Sequence, residues 1–202
     1  MIVNRMALRI CAAMLLILFS ISGRVWAKSN PAADLTLIRI DNFGRINDKY
    51  YRGAQPEAPD YRDLAAVGVK TVIDLTGDGR DDEQALVERA GMKFYRIPLT
   101  TSERPSEAAI ARFLKLVDDS ANQPVYVHCQ RGRHRTGVMT AIYRMLHDGW
   151  NADQAYLEMK QYRFEGFPGH PVLKNFVYDY YAKVDHSRIA DDRHVSEGAA
   201  AK

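Results

Sequence analysis

Runs of apolar and polar residues alternate along the chain with two periods. Between residues 35 and 184 they lay out strands and helices in turn. Phe43–Ile46 and Lys49–Arg52 are short strand candidates separated by an Asn-Asp turn, and Leu35–Ile40 alternates only weakly. Asp60–Val67 fits a short helix closed by Gly68, Lys70–Leu75 (KTVIDL) a buried strand, and Asp81–Ala90 a helix closed by Gly91. Lys93–Ile97 reads as a strand ended by Pro98, and Ser106 as the N-cap of a helix over Glu107–Val117. Val125–His128 is an apolar, β-branched and aromatic strand. After a polar loop, Val138, Ile142, Met145 and Leu146 mark one stripe of a helix over Thr136–Leu146 that Gly149 ends. Asn151 and Gln154 have capping-box spacing for a helix through Tyr162, with Ala155, Leu157 and Met159 as its core positions. Gly166, Pro168, Gly169 and Pro171 make a stiff loop before a last helix near Val172–Tyr181, whose aromatic residues read as packing. This alternation predicts one α/β domain: a mainly parallel central sheet flanked by helices, with ligands at the C-terminal ends of the strands.

The two ends read differently. Arg5 and Arg9 precede an apolar run from Ile10 to Ile21, and Val25-Trp26-Ala27 offers small or β-branched residues for a cut after Ala27. Residues 1–27 are therefore expected to be a secretory signal, with export to a periplasmic or extracellular space; an uncleaved membrane anchor is the alternative. Residues 28–34 are expected to be a lead-in, residues 35–184 the working domain, and the polar residues 185–202 a disordered tail. Removing the signal changes two expectations. The formal charge of +3 comes from 28 basic and 25 acidic residues, and residues 1–27 hold Arg5, Arg9 and Arg24 and no acid. The remainder is thus 25 against 25, which argues against a general attraction to nucleic acid or to a membrane surface. Cys11 leaves as well, so Cys129 has no internal disulfide partner in an oxidising compartment.

The chemistry concentrates in Val125–Gly137, VYVHCQRGRHRTG. A strand, a tight loop and a helix N-terminus in that order form an anion cradle, because loop amides and first-turn amides lack intrahelical partners. Beside arginines and a helix N-terminus, a thiol that ordinarily titrates near pH 8.5 drops to roughly 3.5–7.5. Cys129 is accordingly the candidate nucleophile. Arg135 can fold back across the loop and offer its planar fork to two phosphate oxygens. Thr136 can donate its hydroxyl to the sulfur and make the thiolate a better leaving group in a second step. Gln130, Arg131, Gly132, Arg133 and His134 are candidate substrate-binding positions, more basic than one phosphate requires. His128 is a supporting residue expected to hold the loop through its ring and help depress the thiol.

HCQRGRHRTG matches the H-C-x5-R-T/S signature of cysteine-dependent tyrosine and dual-specificity phosphatases. It resembles most closely the atypical dual-specificity branch found in plants, fungi and bacteria. The similarity extends from FGRINDKYYRGAQP to the helices after the loop. The resemblance implies the dual-specificity-phosphatase fold and hydrolysis of phosphoesters through a cysteinyl-phosphate. Implied substrates are phosphotyrosine, phosphoserine and phosphothreonine, or inositol polyphosphates. It also implies a structural role for Arg52, no cofactor, and a phosphorylated substrate as the main partner.

The general acid is less legible. Members of that family place an aspartate in the loop before the helix leading to the cysteine strand, whereas here the loop is PLTTSERP, residues 98–105, with Glu103 its only carboxylate. Glu103 is the first candidate. Asp78, in the loop after KTVIDL, is the second, and departure of an acidic leaving group without a protein acid is the third reading. No metal-ligand spacing is present; His147, His170, His186 and His194 read as solvated or capping residues. A monomer is expected, with no membrane span once the signal is removed. A rhodanese-like sulfurtransferase or a non-catalytic phosphate-binding module are the rival functions.

Overall fold

The computed structural model describes residues 35–166 and 168–184; the signal, lead-in and tail expectations lie outside the described residues. A single 3-10 turn at Leu35–Leu37 stands where the weak alternation began. Five strands follow: β1 (Gly44–Asn47), β2 (Tyr50–Gly53), β3 (Thr71–Thr76), β4 (Lys93–Leu99) and β5 (Val125–His128). They form one sheet in the order β1-β2-β5-β3-β4, antiparallel only between β1 and β2. The helices are α1 (Asp60–Ala66), α2 (Glu83–Arg89), α3 (Glu107–Asp118), α4 (Arg135–His147), α5 (Ala152–Gln161) and α6 (Pro171–Lys183).

Because side chains alternate across a strand, the sheet separates two apolar layers. Val72, Tyr51 and Tyr126 point to one face, where Tyr61 and Leu64 of α1 and Val87 of α2 cover them. Ile73, Leu75, Val125, Val127 and Tyr50 point to the other, beneath α3, α4, α5 and α6. β5 lies in the middle of the sheet with all four residues buried. The Cys129 loop therefore starts from a fully buried central strand.

Three expectations need correction. Pro98 does not end β4 but lies inside it, which is tolerated because β4 is an edge strand and no further ladder needs that amide. Leu157 is 59 % exposed: it stands two residues from both Ala155 and Met159, about 200° around the helix, and so faces away from the core they enter. Glu158 is buried in its place, held by Arg144, whose Nη2 donates to Glu158 Oε1 at 2.6 Å. Finally, α4 is more than a one-striped helix. Thr136–Tyr143 are all buried, because β3, β5, α3, α5 and α6 surround it.

The caps fell where the pattern put them. Ser106 Oγ accepts from the Ala109 amide, and Asn151 and Gln154 form a reciprocal capping box.

Candidate active site

β3, β4 and β5 run parallel and end on the same edge, so the segments after them converge. They enclose a cleft of roughly 580 Å³, lined by Gly77 and Asp78 after β3, Leu99–Ser102 at the end of β4, and Cys129, Gln130, Arg131, His134 and Arg135 after β5. His170, which precedes α6, completes the lining.

Cys129 lies at the floor, only 3 % exposed. Burial pushes its thiol up, but the Thr136 hydroxyl and amide, the Arg135 charge and the Arg131 amide outweigh it, and the thiol is held below its ordinary value. The Thr136 side chain is fully buried, and its hydroxyl meets no oxygen or nitrogen partner. Arg135 is 11 % exposed at its side chain; its Nη1 reaches the Leu99 carbonyl at 3.4 Å and Asp78 Oδ1 at 3.6 Å, and its Nε makes no hydrogen bond within the described protein. Held loosely at one end, this guanidinium keeps donors for a tetrahedral anion above the sulfur.

The loop is clamped from behind. Gly132 adopts φ +63°, and a Cβ there would fall 2.4 Å from the Gly53 carbonyl carbon and oxygen at the end of β2. Arg52, fully buried, donates from Nη2 to the Gly132 carbonyl at 2.5 Å and stacks 3.9 Å from the Tyr162 ring centre. Asn42 donates to the same carbonyl at 2.8 Å. The Gln55 amide donates to the Gln130 carbonyl at 3.3 Å. These contacts give Arg52 a loop-supporting position, as the resemblance implied.

The remaining expected site residues divide. Gln130, Arg131 and His134 line the cleft, whereas Gly132 packs against β2 and Arg133 turns out to Glu165 at 3.4 Å. Asp78 stands at the rim, across from the sulfur-bearing loop and next to Arg135. Glu103 does not line the cleft. Its amide donates to Thr100 Oγ1, and the turn so formed carries its side chain to a separate shallow depression with Pro98, Arg104 and Pro105. Of the two acid candidates, Asp78 lines the cleft and Glu103 does not.

His128 is fully buried and does not reach into the loop. Its Nε2 lies 2.9 Å from Glu83 Oε1 and its Nδ1 4.0 Å from Asp74 Oδ1. Burial pushes the imidazole down, but the Glu83 carboxylate, then Asp74 and Cys129, more than reverse it, so its pKa is raised. Burial likewise pushes Glu83 up, and His128 and Tyr61 bring it below its ordinary value. Donor atoms of Asp74, Glu83 and His128 lie within 4.8 Å of one another, a spacing that can hold a metal ion. Arg96 already stands beside both carboxylates, at 2.7 Å to Asp74 and 3.7 Å to Glu83, so they have a cation next to them without a metal ion, although Glu83 Oε2 and both His128 ring nitrogens make no hydrogen bond.

Sequence reasoning passed over Asp74, Glu83, Arg96 and His170. Asp74 carried a signal, a carboxylate inside the apolar run KTVIDL, since acids are almost never fully buried unless paired. Glu83 lies inside the Asp81–Ala90 helix pattern, where one more carboxylate carries no separate signal. His170 read as solvated, yet its ring centre lies 3.9 Å from that of His134. That neighbour, burial and the surrounding arginines hold His134 down to about 4; burial is the largest cause.

Residues 41–171 match the family model described as DSP-PTPase phosphatase fused to NAD+ kinase. The dual specificity protein phosphatase TpbA of Pseudomonas aeruginosa (strain UCBPP-PA14) is 31% identical over 121 residues, 59% of this chain and 54% of the relative. The inositol diphosphatase SIW14 of Saccharomyces cerevisiae is 25% identical over 141 residues, 67% of this chain and 50% of the relative. The chain thus spans about half the length of these curated relatives. Among solved structures, P. aeruginosa TpbA superposes with a TM-score of 0.60 at 26% identity, covering 74% of this chain and 88% of that one. The catalytic core of S. cerevisiae SIW14 bound to citrate superposes with a TM-score of 0.63 at 22% identity, covering 77% and 94%, which speaks for the fold. With the cysteine loop, the mostly parallel sheet and a family match over residues 41–171, the chain belongs to the atypical dual-specificity branch of the cysteine-dependent phosphatases.

Proposed function

We propose that this protein hydrolyses phosphoesters through a cysteinyl-phosphate intermediate, with Cys129 as nucleophile. One observation carries the reading: a buried thiol, held below its ordinary value by Thr136, Arg135 and loop amides, at the floor of a cleft that opens at the ends of three parallel strands. The thiolate attacks phosphorus while Arg135 neutralises the equatorial oxygens, a charge that grows in the transition state. The leaving oxygen departs toward the rim, where Asp78 can supply its proton. Water then displaces the thiolate from phosphorus, releasing inorganic phosphate, and Thr136 steadies the departing sulfur.

Substrate class follows from the lining. Arg131 beside Arg135 favours an anion-rich ligand, such as a phosphorylated tyrosine in acidic surroundings or an inositol pyrophosphate. Two relatives support that pair: a TpbA structure was solved with phosphotyrosine, and SIW14 is named an inositol diphosphatase. The N-terminal pattern over residues 1–27 supports export, with action outside the cytoplasm.

Turnover of an aryl phosphate, abolished in Cys129→Ser and lowered at least a hundredfold in Arg135→Lys, is the expected result. Sulfur transfer from thiosulfate to cyanide without phosphate release would instead favour the sulfurtransferase. Phosphate binding with no turnover would favour the binding module. A panel of phosphopeptides and inositol phosphates then ranks the substrates by kcat/KM.

A further inference from the structure

The phosphatase chemistry just described leaves unused the most deeply buried ionisable cluster of the described residues. Glu83, Asp74 and His128 are each 0 % exposed at their side chains, and His128 is the last residue of β5, directly before Cys129. Burying two carboxylates and an imidazole is costly, and a sheet interior filled with apolar residues of the same volume is commonly at least as stable. The geometry points to a purpose connected with the residue next in sequence, Cys129.

We propose that Glu83 is a positioning residue for the nucleophile: by pairing with His128 Nε2 it keeps the imidazole protonated under Cys129, and the imidazolium in turn holds the thiolate. The inference rests on Cys129 being the nucleophile; His128 precedes it directly in the chain, and the Cys129 charge is among the groups that raise the imidazole. Glu83 Oε1 stands 2.9 Å from His128 Nε2 and accepts the Tyr61 hydroxyl at 2.9 Å. Arg96 Nη2 lies 3.7 Å from Glu83 Oε2, an ion-pair distance with no hydrogen bond, so the carboxylate is anchored through Oε1. On the other side of the imidazole, Asp74 Oδ1 is more distant at 4.0 Å, and its charge is already engaged by Arg96 Nε at 2.7 Å and by the Thr76 amide and hydroxyl. Glu83 is thus the nearer carboxylate partner of the ring.

The groups that face His128 come from four other elements and from its own strand. Glu83 comes from α2, Asp74 and Thr76 from β3, Arg96 from β4 and Tyr61 from α1; Tyr126, on the same strand, stacks at 5.7 Å. Arg52 on β2 directs its guanidinium to the Gly132 carbonyl instead. Two anions face two cations. Replacing Glu83 by glutamine leaves Asp74 against Arg96 and His128, a surplus positive charge in the interior that is relieved when the imidazole loses its proton. A neutral ring no longer stabilises the adjacent sulfur anion, and loss of an opposite charge at short range moves a pKa by about one to three units.

The signs agree with this arrangement. Burial alone would make His128 neutral, Glu83 protonated and Cys129 a thiol, yet all three are shifted toward the charged form. Tyr61 adds to the anchoring and would be expected to soften, rather than remove, the effect if lost.

The test reads the thiol and the imidazole directly, so that it does not depend on phosphatase turnover. In the wild-type chain, histidine-selective 15N NMR should find His128 doubly protonated at pH 7; a neutral ring there overturns the proposal outright. In Glu83→Gln, the pH midpoint for iodoacetate alkylation of Cys129 should rise by at least one unit, with the acid limb of kcat/KM moving in parallel. Glu83→Asp should recover part of that shift. His128→Gln should produce a shift of similar size, and the double variant no more than either alone, because both act along one path. A folded Glu83→Gln protein with an unmoved alkylation midpoint, or a double variant whose shifts add in full, refutes the assignment. Should Glu83→Gln fail to fold, the wild-type NMR measurement still decides. Alkylation behaving as expected alongside no phosphate release from any substrate would count against the phosphatase reading and leave this one standing.

Discussion

Gly132→Ala is the most exposing perturbation of the loop. The alanine Cβ would sit 2.4 Å from both the carbonyl carbon and oxygen of Gly53 and 2.7 Å from the Ala54 nitrogen, all backbone atoms of a strand end that cannot swing aside. The φ of +63° adds a left-handed penalty of about 1–2 kcal/mol for a residue with a Cβ. Overpacking against fixed backbone adds about 1–3 kcal/mol. The expected loss is therefore about 2–5 kcal/mol, large but within the stability of an ordinary domain. Relief comes only if the loop lifts off β2, which breaks the Arg52 and Asn42 hydrogen bonds to the Gly132 carbonyl and misaims the amides around Cys129. A displacement of about 1 Å at a reacting centre costs on the order of a hundredfold in rate. Gly68→Ala serves as the control: its φ is +94° but nothing lies within 4 Å of its Cβ, so it should lose only the backbone penalty and keep full activity. Urea unfolding gives the stability change, and kcat/KM on an aryl phosphate, measured well below the unfolding midpoint, gives the rate. A Gly132→Ala protein with a wild-type midpoint and rate, or one no less active than Gly68→Ala, would refute the claim that the β2 backbone sets the loop.

Asp78→Asn should slow a substrate with a poor leaving group at least tenfold more than nitrophenyl phosphate, while Glu103→Gln should leave both rates within twofold; equal losses in Asp78→Asn would remove it as the acid. Removing Arg144 by Arg144→Met should destabilise the fold by about 3–5 kcal/mol, because Glu158 is then left buried without its partner, whereas the pair Arg144→Met with Glu158→Leu should recover most of it; urea midpoints check this. His134, held down to about 4 in the folded chain against an ordinary 6.5, binds its proton more readily when unfolded. Its contribution therefore makes stability fall as pH drops from about 6.5 toward 4, and His134→Gln should flatten that part of a stability-against-pH curve. A slope unchanged in His134→Gln would mean that another group governs the window.

Much of this architecture was legible in the order of residues because it rests on local physics. Period-2 and period-3.6 patterns, the Ser106 and Asn151 caps and helix-closing glycines are decided within a few residues of themselves. So is the cysteine loop: strand, six-residue spacing and helix start form a continuous stretch, and Cys129, Arg135 and Thr136 lie together because the chain between them is too short to do otherwise. Pattern alone also placed Leu157 in the core and Pro98 at a strand end, where the missing information was which way a helix faces and which strand lies at the edge.

The residues that only the tertiary structure could supply come from other strands and helices. Asp78 faces Arg135, and Glu103 does not, because of the path of two loops at the end of the sheet. Glu83 meets His128 across 45 positions of chain, and Arg52 meets Gly132 across 80. Such pairings are set by strand order and by which layer each helix covers, quantities that no short window of residues contains. The sequence by itself therefore determined the cysteine loop and the placing of Arg135 and Thr136 beside Cys129. Packing decided which groups of other segments, Asp78, Arg52 and Glu83 among them, meet that loop and the residue before it, because electrostatic interactions depend on distance through space and not along the chain.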